Sequence, residues 1–145
     1  MGEDIKSKTI LILGGSGLIG SALQKKAVLF KKVFAPTNLD LRDNRQVDDL
    51  FYTTKPDLVF HMASLTANGF LHSDFGKEIF DYNMGIDTNI IDACLMHNVS
   101  KIVTPGSTGN FRPKVKGSTF AEPDFPRDTS NDHDKFKFYT ENKVK

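Results

Sequence analysis

The sequence has little cysteine, no long apolar run and almost no charge imbalance. Cys94 is the single cysteine, so no internal disulfide can form and a reducing compartment is expected. No stretch reaches the roughly 20 apolar residues of a membrane-spanning helix. The opening MGEDIKSKTILIL has no apolar run ahead of a cleavage site, and Lys6 stands where N-myristoylation needs Ser or Thr. Without a secretory signal the sequon Asn98-Val99-Ser100 carries no weight, and a cytoplasmic location is expected. A formal net charge of +1 gives no electrostatic basis for binding nucleic acid or a membrane surface. Lys135, Lys137, Lys143 and Lys145 read as a solvated helix face. The four histidines are scattered. Asp132-His133-Asp134 could touch a metal, but helix capping is the simpler use of aspartate there, so no metal site is expected.

What remains is an alternation. The chain has 145 residues, 39% hydrophobic and 26% charged, which fits one globular domain with a core of its own. Short apolar runs at 9–13, 33–35, 57–61 and 101–104 read as strands. Between them, helical spacing predicts helices over 18–29, with Leu18, Ala22 and Leu29 inward, over 44–54, with Val47, Leu50 and Phe51 on one face, and over 80–98, with Ile86, Ile90, Ile91 and Cys94 in line. Residues 106–127 read as loop, with Pro113, Pro123 and Pro126, before a last helix carrying Tyr139 and Lys143. Strands alternating with helices predict an α/β fold, a doubly wound parallel sheet with right-handed crossovers. Such sheets bind ligands outside the carboxyl ends of their strands.

The first of those ends carries Gly14-Gly15-Ser16-Gly17-Leu18-Ile19-Gly20. A glycine turn between a strand and a helix is the context of dinucleotide binding: one glycine for the tight turn, one for close approach of the pyrophosphate, one for packing the helix on the sheet. The phosphates would meet backbone N–H groups and the positive end of the helix dipole. The spacing is G-x-x-G-x-x-G, not the G-x-G-x-x-G of the dehydrogenase fingerprint. An acidic residue about 20 positions on normally holds the NAD ribose. Asp40 fits by counting, but the tip of the second strand carries Pro36-Thr37-Asn38. The missing acid leaves room for a 2′-phosphate, with Arg42, Lys31 and Lys32 as candidate partners, so NADP is expected ahead of NAD.

The stretch TILILGGSGLIGSAL resembles the opening of the extended short-chain dehydrogenase/reductases, the NAD-dependent epimerase/dehydratase family. The resemblance implies a Rossmann-like fold with cofactor contacts at Gly14, Ser16, Gly17, Leu18, Ile19 and Gly20, adenine contacts at Asp40 and Leu41 of LDLRD, and nicotinamide-side contacts at Met62, Ala63 and Ser64 of FHMAS. It also implies a catalytic set of Ser107 with Tyr139 and Lys143 of YTENK. In this set the ammonium favours the phenolate, lowering a tyrosine pKa that is ordinarily near 10, and the serine orients the substrate oxygen. Hydride transfer at a carbinol carbon needs such a matched proton donor.

GGSGLIGSAL, LDLRDNRQVDDLF, NMGIDTNIIDAC and GSTGNFRPKVKGSTFAEP are most similar to the GDP-L-fucose synthases, which implies reduction of GDP-4-keto-6-deoxymannose and a nucleotide-sugar substrate. Thr108-Gly109 lacks the acidic residue expected of a 4,6-dehydratase. Gly109 also stands where that subfamily has an epimerising Cys, and Asn110-Phe111-Arg112-Pro113 departs from its usual wording. Relatives often dimerise through the helix after the third strand, so a homodimer is among the assemblies implied. Residues 1–145 are expected to form a truncated dinucleotide-binding domain without the C-terminal substrate domain. The competing expectation is a catalytically inactive dinucleotide-binding module.

Overall fold

A computed structural model describes residues 5–66 and 69–106. After a 3-10 turn at Ile5–Ser7 come β1 (Thr9–Leu13), α1 (Leu18–Lys26) with a further 3-10 turn at Ala27–Leu29, β2 (Lys32–Phe34), α2 (Asn44–Thr54), β3 (Leu58–His61), α3 (Gly69–Met96) and β4 (Lys101–Val103). The chain divides into two units, Met1–Ser64 with Gly85–Pro105, and Leu65–Met84 with Gly106–Lys145. All four strands belong to the first.

Those strands form one parallel sheet in the order β2-β1-β3-β4. Leu11 pairs with Phe34 on one side and Val59 on the other, and Val59 pairs in turn with Ile102. The chain leaves β1 in one direction to make β2, then returns past it to make β3 and β4. The reversal puts the crevice at the carboxyl ends of β1 and β3, which is where a doubly wound sheet binds its ligand.

Strand alternation divides the core. Ile10, Ile12 and Leu58 pack with Ala27 on one face, against Leu23, Phe30, Ala35, Phe60 and Val103. Leu11, Leu13, Val59 and His61 point to the other face, as the two-residue period requires. Right-handed crossovers put α2 and the second half of α3 on that face. There Val47 and Phe51 of α2 and Ile86, Ile90 and Ala93 of α3 are buried.

Two helices depart from their sequence-based expectations. In α1 the inward stripe is Gly20 and Leu23, continued by Ala27, whereas Leu18 is 90% and Leu29 67% exposed and Ala22 lies outward. The stripe turns because Gly20, with no side chain, is the residue that approaches the turn backbone. In α3 the helix begins at Gly69, not at residue 80, and breaks helical geometry at Phe75 (φ −126°, ψ 24°). Glycine at 69 and 76 is poor helix former, so local pattern hides this early start. Ile91 is 49% exposed and lies off the buried stripe.

Asp43 starts α2. Its carboxylate accepts the Arg45 amide and the Gln46 side-chain amide, each at 3.0 Å, and the Gln46 bond heads the causes that hold its pKa below the ordinary range. Asp43→Ala should lower stability by removing the N-cap of α2. Urea denaturation measures it, and an unchanged midpoint would contradict the cap. The described residues contain no helix long and apolar enough to cross a membrane.

Candidate functional site

The glycine turn is held from three directions. The Gly17 amide donates to the Gly14 carbonyl at 3.0 Å, closing the turn, and Gly14 has φ +76°, where a side chain is strained. A Cβ on Gly14 would also lie 2.6 Å from the Ala63 nitrogen and from the Met62 carbonyl carbon. The turn after β1 and the segment after β3 are thus in backbone contact, as the β1/β3 crevice demands. At Gly20 a Cβ would overlap the Gly14 carbonyl oxygen and come within 2.8 Å of Gly15 Cα. Gln24 supplies the third tie, its Nε2 donating to the Gly15 carbonyl at 2.6 Å. Sequence reasoning missed this tie, which joins side chain to backbone nine residues apart and has no local signal.

Gly17 differs from its neighbours. Among the described residues, its Cβ direction meets only the Gly14 oxygen, at 3.3 Å. Gly17 is also the N-cap of α1, with φ −74° and ψ 174°, and no side chain caps the helix. The first turn holds no acidic residue. The first intrahelical bond comes from the Ser21 amide to the Gly17 carbonyl, so the amides of Leu18, Ile19 and Gly20 precede it. Ser16, Gly17, Leu18 and Ile19 are exposed. Unused donors, the positive end of a helix dipole and a missing side chain at the point of approach fit a diphosphate.

The second wall follows β3. Met62, Ala63 and Ser64 are half-buried. The Met62 amide donates to the Leu13 carbonyl at 2.9 Å, which ties the segment to β1. Just before it, the buried His61 donates through Nε2 to Asp87 Oδ1 of α3 at 2.8 Å. A carboxylate can only accept, so the proton sits on Nε2. In the second unit, Asn83 is buried and brackets Leu65, accepting its amide at 2.7 Å and donating to its carbonyl at 3.0 Å.

The third element is the loop between β2 and α2. Asp40 receives a fork from Arg42, Nε to Oδ1 at 3.0 Å and Nη2 to Oδ2 at 2.8 Å, together with the Arg42 amide at 3.0 Å. The Arg42 side chain holds the Asp40 carboxyl below its ordinary range. The Asp43 amide donates to the Asp40 carbonyl at 3.0 Å, and Asn89 of α3 donates to the Leu41 carbonyl at 3.0 Å. Arg42 is therefore engaged with Asp40. Lys32 opens β2 and pairs with Thr9, at the amino end of the sheet, which takes Lys31 and Lys32 away from a ribose at the carboxyl end.

Gly14, Ser16, Gly17, Leu18, Ile19 and Gly20 thus lie at one crevice with Met62, Ala63 and Ser64, while Asp40 and Leu41 occupy the loop beyond β2. Ser107, Tyr139 and Lys143 lie outside the described residues, as do Gly109 and Asp132-His133-Asp134. The His61–Asp87 and Asn89–Leu41 ties were not legible beforehand, although NMGIDTNIIDAC carried both helix residues.

Cys94 lies on the buried face of α3, 8% exposed, and burial pushes its thiol up to about 11. Since the thiolate is the reactive form, Cys94 should resist iodoacetamide at pH 8 in the folded chain and react readily in urea. Equal rates in both states would show that the thiol is not buried.

The sequence matches the NAD dependent epimerase/dehydratase family over residues 10–144. A GDP-L-fucose synthase from Dictyostelium discoideum is 31% identical over 121 residues, which is 79% of this chain and 38% of that protein. Among solved structures, MlghC, a GDP-mannoheptose C4 reductase from Campylobacter jejuni with NADP bound, superposes with a TM-score of 0.78 at 27% identity, over 99% of this chain and 42% of that one. A GDP-L-fucose synthetase from Naegleria fowleri bound to NADP gives 0.73 at 26%, over 95% and 41%. The chain therefore spans about two fifths of the length of these relatives. With the glycine turn, the β1/β3 crevice and a match across nearly its whole length, the chain belongs to the NAD dependent epimerase/dehydratase family.

Proposed function

We propose that this chain is the dinucleotide-binding domain of an NADP-dependent enzyme that reduces a GDP-linked 4-keto sugar such as GDP-4-keto-6-deoxymannose, with the sugar-binding half outside these 145 residues. The observation that carries the reading is the glycine turn opening an uncapped, acid-free helix at the β1/β3 crevice. A nicotinamide dinucleotide bound there supplies a hydride. The chain's own residues bind and orient: the amides of Leu18 and Ile19 meet phosphate, Met62 to Ser64 line the nicotinamide side, and Asp40 and Leu41 border the adenine. Tyr139 protonates the developing alkoxide, Lys143 holds the phenol acidic, and Ser107 orients the sugar oxygen.

NADP is favoured over NAD because Ala35-Pro36-Thr37-Asn38 at the β2 tip include no carboxylate to repel a 2′-phosphate, and two similar structures were solved with NADP. Reduction without epimerisation is favoured because Gly109 has no side chain to move a proton at carbon. The similarity to a C4 reductase points the same way.

The test is a fluorescence titration of this chain with NADPH, and turnover of GDP-4-keto-6-deoxymannose by a protein that carries this chain together with its sugar-binding half. Saturable binding by the chain and NADPH oxidation by the longer protein are expected. Binding by the chain without oxidation by the longer protein would favour a dinucleotide-binding module, and no binding would end the reading.

A further inference from the structure

Residues 87 and 89 of α3 are two apart, so their side chains leave the helix about 160° from each other. The buried stripe of Ile86, Ile90 and Ala93 runs between them. Asp87 leaves one flank and takes the Nε2 proton of His61, at the tip of β3, 26 residues earlier in the chain. Asn89 leaves the other flank and donates to the Leu41 carbonyl, 48 residues earlier. Each tie ends on backbone or side chain next to a different wall of the crevice. His61 immediately precedes Met62 and Ala63, which touch the glycine turn. Leu41 sits in the loop where Asp40, Arg42 and Asp43 make bonds two or three residues long. Those bonds shape the loop, and the Asn89 amide ties it to α3 across 48 residues.

We propose that Asp87 and Asn89 are positioning residues that set the two walls of the dinucleotide site from one helix, Asn89 the adenosine wall through Leu41 and Asp87 the wall at the β3 tip through His61. The inference rests on the dinucleotide reading above. A packing role alone would loosen both ends of the site together. Separate ties on opposite flanks make the ends separable, and the affinity for half of the dinucleotide reports which tie was cut.

The test uses the whole chain and three variants. Asn89→Leu keeps volume and neutrality and removes the donor, Asn89→Ala covers the case in which leucine does not fold, and Asp87→Ala removes the other tie. ADP affinity is read by displacement of NADPH, and the nicotinamide environment by the emission shift of bound NADPH. Losing one hydrogen bond of ordinary strength should raise the Kd for ADP about fivefold in the Asn89 variants, with the NADPH emission shift unchanged. Asp87→Ala should do the reverse: ADP affinity within about twofold of the parent and a smaller emission shift. Amide exchange at Arg42 and Asp43 without ligand should quicken only in the Asn89 variants. Unchanged ADP affinity in the Asn89 variants, or equal losses at both ends in all variants, overturns the proposal while leaving the dinucleotide reading intact. Failure of the parent chain to bind either ADP or NADPH overturns both.

Discussion

Gly17→Val should abolish dinucleotide binding, raising the Kd for NADPH at least about a hundredfold, or roughly 2.7 kcal/mol, while leaving the fold in place. The two halves of that expectation have separate grounds. The fold survives because Gly17 has φ −74°, which any residue adopts, and among the described residues its Cβ would meet only the Gly14 oxygen, at 3.3 Å. A shift of a few tenths of an ångström relieves that contact. On the proposed reading, binding is lost because the space around that Cβ is where a pyrophosphate comes against the amides of α1, and a branched side chain fills it. Thermal unfolding by circular dichroism and an NADPH titration measure the two halves. A variant that melts like the parent and still binds NADPH would remove the phosphate from this turn. Gly20→Val is the contrasting case. Its Cβ would overlap the Gly14 carbonyl itself, so stability and binding should fall together.

The second large effect concerns the chemistry. On the proposed reading, Tyr139→Phe in a protein that also carries the sugar-binding half should lower the rate of NADPH oxidation with GDP-4-keto-6-deoxymannose by about a hundredfold to ten-thousandfold, the range for losing a general acid. NADPH affinity should stay within about twofold, because the hydroxyl acts on the sugar oxygen. Steady-state turnover beside an equilibrium titration separates the two. Full turnover in the phenylalanine variant would assign the proton donor to another residue, and a parallel fall in affinity would make Tyr139 a binding residue.

Much of this site could be read in advance because its signals are local. A glycine turn at 14–20 between an apolar run and a helical period needs no knowledge of distant residues, and the strand-helix alternation implies the parallel sheet. The errors have an equally local origin. Periodicity put Leu18, Ala22 and Leu29 inward, but the orientation of α1 is set by Gly20 closing on the Gly14 carbonyl, which turns the helix so that Leu23 faces the sheet. The early start of α3 was missed because glycines 69 and 76 and the break at Phe75 interrupt any helical period. Lys31 and Lys32 were plausible phosphate partners by sequence distance, yet the register Thr9↔Lys32 puts them at the wrong end of the sheet.

By itself, then, the sequence determined the order of elements, the parallel winding and the place of the glycine turn, since each follows from side-chain period, backbone freedom and strand-helix alternation within about 20 residues of one another. Only the tertiary structure decided which face α1 buries, and that Asp87 and Asn89 reach back 26 and 48 residues to His61 and Leu41. Those choices depend on which groups the folded sheet brings within reach of each helix. That is a property of the assembled core, and no local pattern encodes it.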